Sequence, residues 1–141
     1  MKLYVNGQDI SQITVGSVDT GILITKHVET EAFLSVINAF VREQAGSYDN
    51  LEAIYVVVGP GSATALRSTL SILQTMHFVE GVSLYALQKD PEEEDGQTLK
   101  RAVDDAQAVE TLIPVYQHSP RITISNKDAL GRITSSLTSN S

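Results

Sequence analysis

The sequence predicts an α/β domain built on a mixed sheet, and three observations predict it. Residues 2–28 hold three short segments rich in β-branched and apolar residues, joined by turn signals too tight for crossovers. Ile54 to Val58 (IYVVV) is an uninterrupted apolar run, the pattern of a strand buried on both faces. Around that run, apolar residues recur at helical spacing, so the later order is helix, strand, helix, strand.

Each element has its own warrant. Lys2 to Asn6 (KLYVN) alternates around Leu3 and Val5, and Asn6-Gly7-Gln8-Asp9 supplies a turn. Ile10, Ile13 and Val15 mark a second strand, Ser17 to Gly21 a second turn, and Ile22 to Val28 (ILITKHV) a third strand. Thr30 has the chemistry of an N-cap. After it, Phe33, Leu34, Ile37, Phe40 and Val41 fall at helical spacing to about Gln44, and Gly46 closes the helix. The buried strand enters Gly59-Pro60-Gly61-Ser62; residues 63–80 follow as a helix, Gly81 ends it, and Val82 to Leu87 is a further strand. An antiparallel three-strand meander followed by βαβ units is the layout of ribonuclease H-like and actin-like ATPase lobes.

The composition changes after Lys89. The expected organisation is a lobe over 1–89, an acidic linker over 90–97 (Pro91-Glu92-Glu93-Glu94-Asp95-Gly96), further structure over 98–133 and a disordered tail over 134–141. Leu99, Val103, Ala106 and Val109 mark one stripe of a third helix. Leu112 to Gln117 and Arg121 to Ser125 read as a hairpin packed on the lobe or left from a second one.

Size and charge exclude several function classes. A chain of 141 residues buries about 70% of its unfolded surface, so it needs no metal or disulfide to fold. The absence of cysteine removes thiolate chemistry. No apolar run approaches the ~20 residues that cross a bilayer, and MKLYVNGQDI lacks a signal-peptide core, so no membrane contact and a cytoplasmic location are expected. Net charge is −7, with no cationic cluster beyond Lys100-Arg101, which argues against direct grip on RNA. His27, His77 and His118 are far apart in sequence, and no metal site is expected.

The sharpest motif is Gly59-Pro60-Gly61-Ser62-Ala63-Thr64-Ala65-Leu66-Arg67, at a strand-to-helix turn. Gly59, Gly61, Ser62 and Thr64 are anion-binding candidates, because such a turn exposes backbone N–H groups at a helix N-terminus. A Walker A loop would need Gly-Lys-Ser/Thr, a dinucleotide fingerprint a third glycine where Thr64 stands, and a nucleophile elbow glycines at Pro60 and Thr64. The competing reading is a tight turn with Ser62 as helix cap. Arg67 either meets an anion or pairs with an acidic neighbour.

Leu51 to Leu87, in which an apolar strand runs into Gly-Pro-Gly-Ser, resembles the hallmark segment of the TsaB family, with His27-Val28-Glu29 and Leu34 similar to the opening of that family's first helix. The resemblance spans about residues 1–89, an amino-terminal lobe, and implies a non-catalytic scaffold in making threonylcarbamoyladenosine on tRNA. It implies pairing through two helices with a TsaD-like subunit or with itself, no cofactor, and contact with tRNA only indirectly. Ala63 and Ala65 stand where the family has an aromatic residue and a glycine, and Asn6-Gly7 where relatives carry acidic and hydroxyl residues. Binding a phosphorylated ligand at the Gly59–Ser62 turn, as a small phosphate- or nucleotide-binding enzyme or sensor, is the alternative function.

The helix over 63–80 carries no formal charge between Arg67 and Glu80 apart from any on His77, and its apolar positions span about half its circumference, more than the ~100° of one buried face. The first helix is nearly as broad. Phe33, Leu34, Ile37, Val41, Thr69, Ile72, Leu73, Met76 and Val79 are therefore the partner-interface candidates, unless the acidic segment and third helix cover them.

Overall fold

A computed structural model describes residues 1–117. In chain order the elements are β1 (Lys2–Asn6), β2 (Ile13–Ser17), β3 (Leu23–Lys26), α1 (Phe33–Ala45), β4 (Ala53–Val57), α2 (Ala63–Glu80), β5 (Ser83–Leu87), α3 (Asp95–Asp105) and β6 (Gln107–Val109). They form a sheet of order β3-β2-β1-β4-β5-β6. The meander is antiparallel, β4 lies parallel to both β1 and β5, and β6 returns antiparallel to β5. This is the mixed sheet that the apolar patterning predicts.

The central strands are buried on both faces because helices cover both. Leu3, Val5, Ile54 and Val56 point toward α1 and α2, packing with Phe33, Ile37, Leu70 and Leu73. The intervening residues Tyr4, Ala53, Tyr55 and Val57 point the other way and pack with Leu99 and Ala102 of α3. Strand alternation thus feeds two cores from the same strands. Tyr55 and Tyr85 stack on the α3 side with ring centroids 4.9 Å apart.

Several expectations need correction. Ile10 lies before β2 and is 51% exposed. Thr30 does not cap α1: it opens a 3-10 turn, Thr30–Ala32, that leads into the helix. The run over 90–97 is not simply a linker, since Glu94 caps α3 in a reciprocal box with Gln97 and Asp95 is its first residue. Two acidic side chains are tied down there, Glu93 to Arg101 and Asp95 to Tyr4. The α3 stripe is Thr98, Leu99 and Ala102 rather than Leu99, Val103, Ala106 and Val109; Val103 is exposed and Val109 belongs to β6. Tyr116 makes a parallel bridge to Gly61. Arg121 to Ser125, His118 and the segment over 134–141 lie outside the described residues. No helix of the described residues is long and apolar enough to cross a membrane.

Candidate functional site

The Gly59–Ser62 turn is crowded by its own chain. Val115 runs alongside it, donating its N–H to the Val58 carbonyl at 2.8 Å and accepting from Gly61 N at 3.2 Å. The β1–β2 loop closes the other side, where the Gln8 carbonyl accepts from Ser62 N at 3.0 Å. A side chain at Gly59 would put its Cβ 2.0 Å from the Val115 carbonyl oxygen, and one at Gly61 2.8 Å from that of Gln8. Gly59 also holds φ at 137°, a region that side chains avoid. These glycines therefore admit two strands of backbone.

The N–H groups that an anion would need are largely spent. Gly61 N and Ser62 N bond backbone carbonyls, and Ser62 Oγ accepts from Ala65 N at 3.3 Å as the cap of α2. Thr64 is exposed on the first turn. Among the four candidates, Gly59, Gly61 and Ser62 are thus placed as turn and cap.

Beside that turn, a polar cleft opens at the carboxyl ends of β1, β4 and β5, with a volume of about 310 Å³. Asn6, Gln8, Ser62, Lys89 and Asp95 are among its walls. Gln8 holds the cleft's shape, its Nε2 donating to the carbonyls of Pro60 and Lys89, each at 2.8 Å. Asp95 Oδ1 accepts from Tyr4 Oη at 2.6 Å and from Asn6 Nδ2 at 2.9 Å. Burial and the Asp95 hydrogen bond hold the Tyr4 phenol far above the ordinary tyrosine range. Lys89 is 5% exposed, with its Nζ donating to the Asp90 carbonyl at 3.2 Å. Among the described residues no three histidine, aspartate or glutamate side chains gather as a metal site.

Sequence reasoning missed Lys89 and Asp95 as wall residues. Asp95 was hidden within an acidic run, although the Glu94–Gln97 spacing signals a helix start. Lys89 follows β5 with nothing local to mark its burial.

The nine interface candidates divide. Phe33, Ile37, Val41, Thr69, Leu73 and Met76 face the sheet and are buried in this chain's own core. Leu34 and Val79 are exposed, and Ile72 is partly buried. These three, with the edge of Met76, line a groove of about 410 Å³ between α1 and α2, closed by Asn38 and Tyr48, which hydrogen-bond each other. Burial pushes the Tyr48 phenol upward. Because α3 packs on the opposite face of the sheet, it does not cover this groove.

No family model matches the chain, and no curated protein matches it. Solved structures do. YeaZ from Pseudomonas aeruginosa is similar with a TM-score of 0.51 and 15% identity, over 62% of this chain and 43% of that one. A second structure, an uncharacterized protein from Pseudomonas aeruginosa with similarity to peptidase YeaZ, has the same TM-score and identity over 62% of this chain and 42% of its own. The match spans less than half the length of either neighbour. The likeness shows the fold alone: the chain shares the mixed α/β architecture of part of YeaZ.

Proposed function

We propose that this protein is a non-catalytic scaffold of the tRNA threonylcarbamoyladenosine machinery, docking through the outer edge of α1 and α2 onto a TsaD-like subunit or a second copy of itself. The observation that carries the reading is an apolar groove between those helices that no other described residue covers, walled by Leu34, Ile72 and Val79. Phe78, near the end of α2, is a further exposed apolar residue, at 77%. Single exposed apolar residues are ordinary, whereas a contiguous patch between two helices is the form of a protein-binding face. The fold likeness to YeaZ supports the pathway, and the net charge of −7 fits contact with tRNA through the partner alone. The protein works in the cytoplasm in this reading and holds no cofactor.

The non-catalytic role rests on Asn6. At the end of β1, where an ATP-hydrolysing relative needs an acidic metal ligand, Asn6 donates to Asp95 instead. The alternative of a phosphate site in the Gly59–Ser62 turn has two of its donors already bonded internally.

The test is co-purification with a TsaD-like subunit from the same cell, with light scattering of the protein alone. Val79→Arg, at a position 72% exposed, places a charge in the groove without entering the core, and Ile72→Arg places one where the groove meets the core. Each should abolish the complex or the dimer, and Val79→Arg decides if Ile72→Arg fails to fold. Arginine at Met76 is unsuitable, because that side chain is 8% exposed and its loss would disturb folding. A monomer that binds no such subunit, or a complex indifferent to both changes, overturns the reading.

A further inference from the structure

Two charges of opposite sign stand on the wall of the polar cleft and do not meet. Lys89 Nζ donates to one backbone carbonyl and, among the described residues, forms no ion pair. Lys89 is 5% exposed and lies in the cleft's lining, so the partners for its remaining protons must come from the cleft. Asp95 Oδ1 is taken by Tyr4 and Asn6, whereas Oδ2 accepts from no described side chain. Ser62 Oγ accepts from Ala65 N, which leaves its own proton free to donate into the cleft. A buried ammonium and a carboxylate held apart in one cavity are complementary to a molecule that carries both signs itself.

We propose that the cleft binds a small zwitterion of the α-amino acid class, its carboxylate against Lys89 Nζ and the Ser62 hydroxyl and its ammonium against Asp95 Oδ2. The volume of about 310 Å³ lies at the small end of ligand pockets, which suits a compact metabolite. A phosphate group fits poorly, since Gly61 N and Ser62 N are already bonded and Asp9 joins Asp95 in the lining. A metal ion lacks a third ligand among the described residues. This inference is independent of the helix-pair docking, for the two surfaces share no residue.

The experiment is thermal unfolding and calorimetry of the full chain against each common α-amino acid. Acetate and inorganic phosphate serve as anion-only probes, and methylamine as the cation-only probe. At least one amino acid should raise the melting temperature by about 10 °C at a hundredfold excess over its Kd. The single-charge probes should leave it unchanged. Lys89→Met should remove the shift, and Lys89→Arg, which keeps the charge, should retain part of it. Asp95→Asn keeps an acceptor for Tyr4 and should weaken amino-acid binding at least tenfold. Should Lys89→Met fail to fold, Lys89→Arg and Asp95→Asn decide the matter. The proposal is overturned if no amino acid shifts the wild type, if phosphate alone does so, or if Asp95→Asn binds as well as the wild type.

Discussion

At the scale of single residues, the turn before α2 shows what a motif reveals and what it conceals. Two glycines between a strand and a helix were legible as a place of close approach. What approaches was not, because Val115 arrives from far along the chain and sequence spacing carries no trace of it. Gly59→Ala should destabilise the protein by about 2 kcal/mol or more, from the positive φ and the contact with Val115 together. A urea midpoint within experimental error of wild type would show that the Val115 segment is not held there. Glu93 offers a second residue-scale test. The Arg101 hydrogen bonds hold its carboxyl below the ordinary glutamate range. An unfolded glutamate titrates near ~4.3, so the stabilisation is complete above that pH and lost as pH falls through the depressed folded value. The pair is partly exposed, with side chains 33% and 20% accessible, and contributes about 1 kcal/mol or less after screening. Glu93→Gln should lower stability at pH 7 and flatten its fall below about pH 4; an acid limb parallel to that of the wild type would contradict the assignment.

Among the elements, legibility follows how many independent signals each one carries. The bounds of α2 are those the sequence predicts, because Ser62 caps it, Gly81 ends it and no breaker interrupts the residues between. α3 carries fewer signals. It buries only Thr98, Leu99 and Ala102, one of them polar, so its apolar period is thin, and Val103 completes a false stripe that points to solvent. Leu99→Ala should cost about 2–4 kcal/mol and Val103→Ala less than about 0.5 kcal/mol, measured by chemical denaturation. Equal costs would restore the stripe read from the sequence. The interface candidates divide between core and groove for a related reason. Composition marks a position as apolar, but rotation of the helix over the sheet decides whether Leu73 or Val79 faces inward, and that rotation is a tertiary fact. A broad apolar surface was therefore visible, while the division between core and groove was not.

For the whole molecule, the order of strands followed from tight links early and helical links later. The side of the sheet on which α3 would lie did not, since a long acidic connection permits either face. Its actual place leaves the α1–α2 edge open and walls the polar cleft with Asp95. Asn6 at the end of β1, bonded to Asp95 rather than presenting a carboxylate, sets an expectation for nucleotides. Calorimetry with magnesium-ATP should detect nothing tighter than millimolar binding, and a micromolar Kd would revive an ATP-using role.

α2 itself touches both surfaces. Ser62, its cap, stands in the cleft, and Ile72, Met76 and Val79 stand in the groove. Its 18 residues make a rod about 27 Å long, with neither glycine nor proline within it to absorb a bend. Movement of the rod along its own axis would be felt at both ends together. By reciprocity, an occupant of one end that favours one axial position alters affinity at the other by the same factor in both directions. A docking subunit would then register whether the cleft is filled without ever touching what fills it.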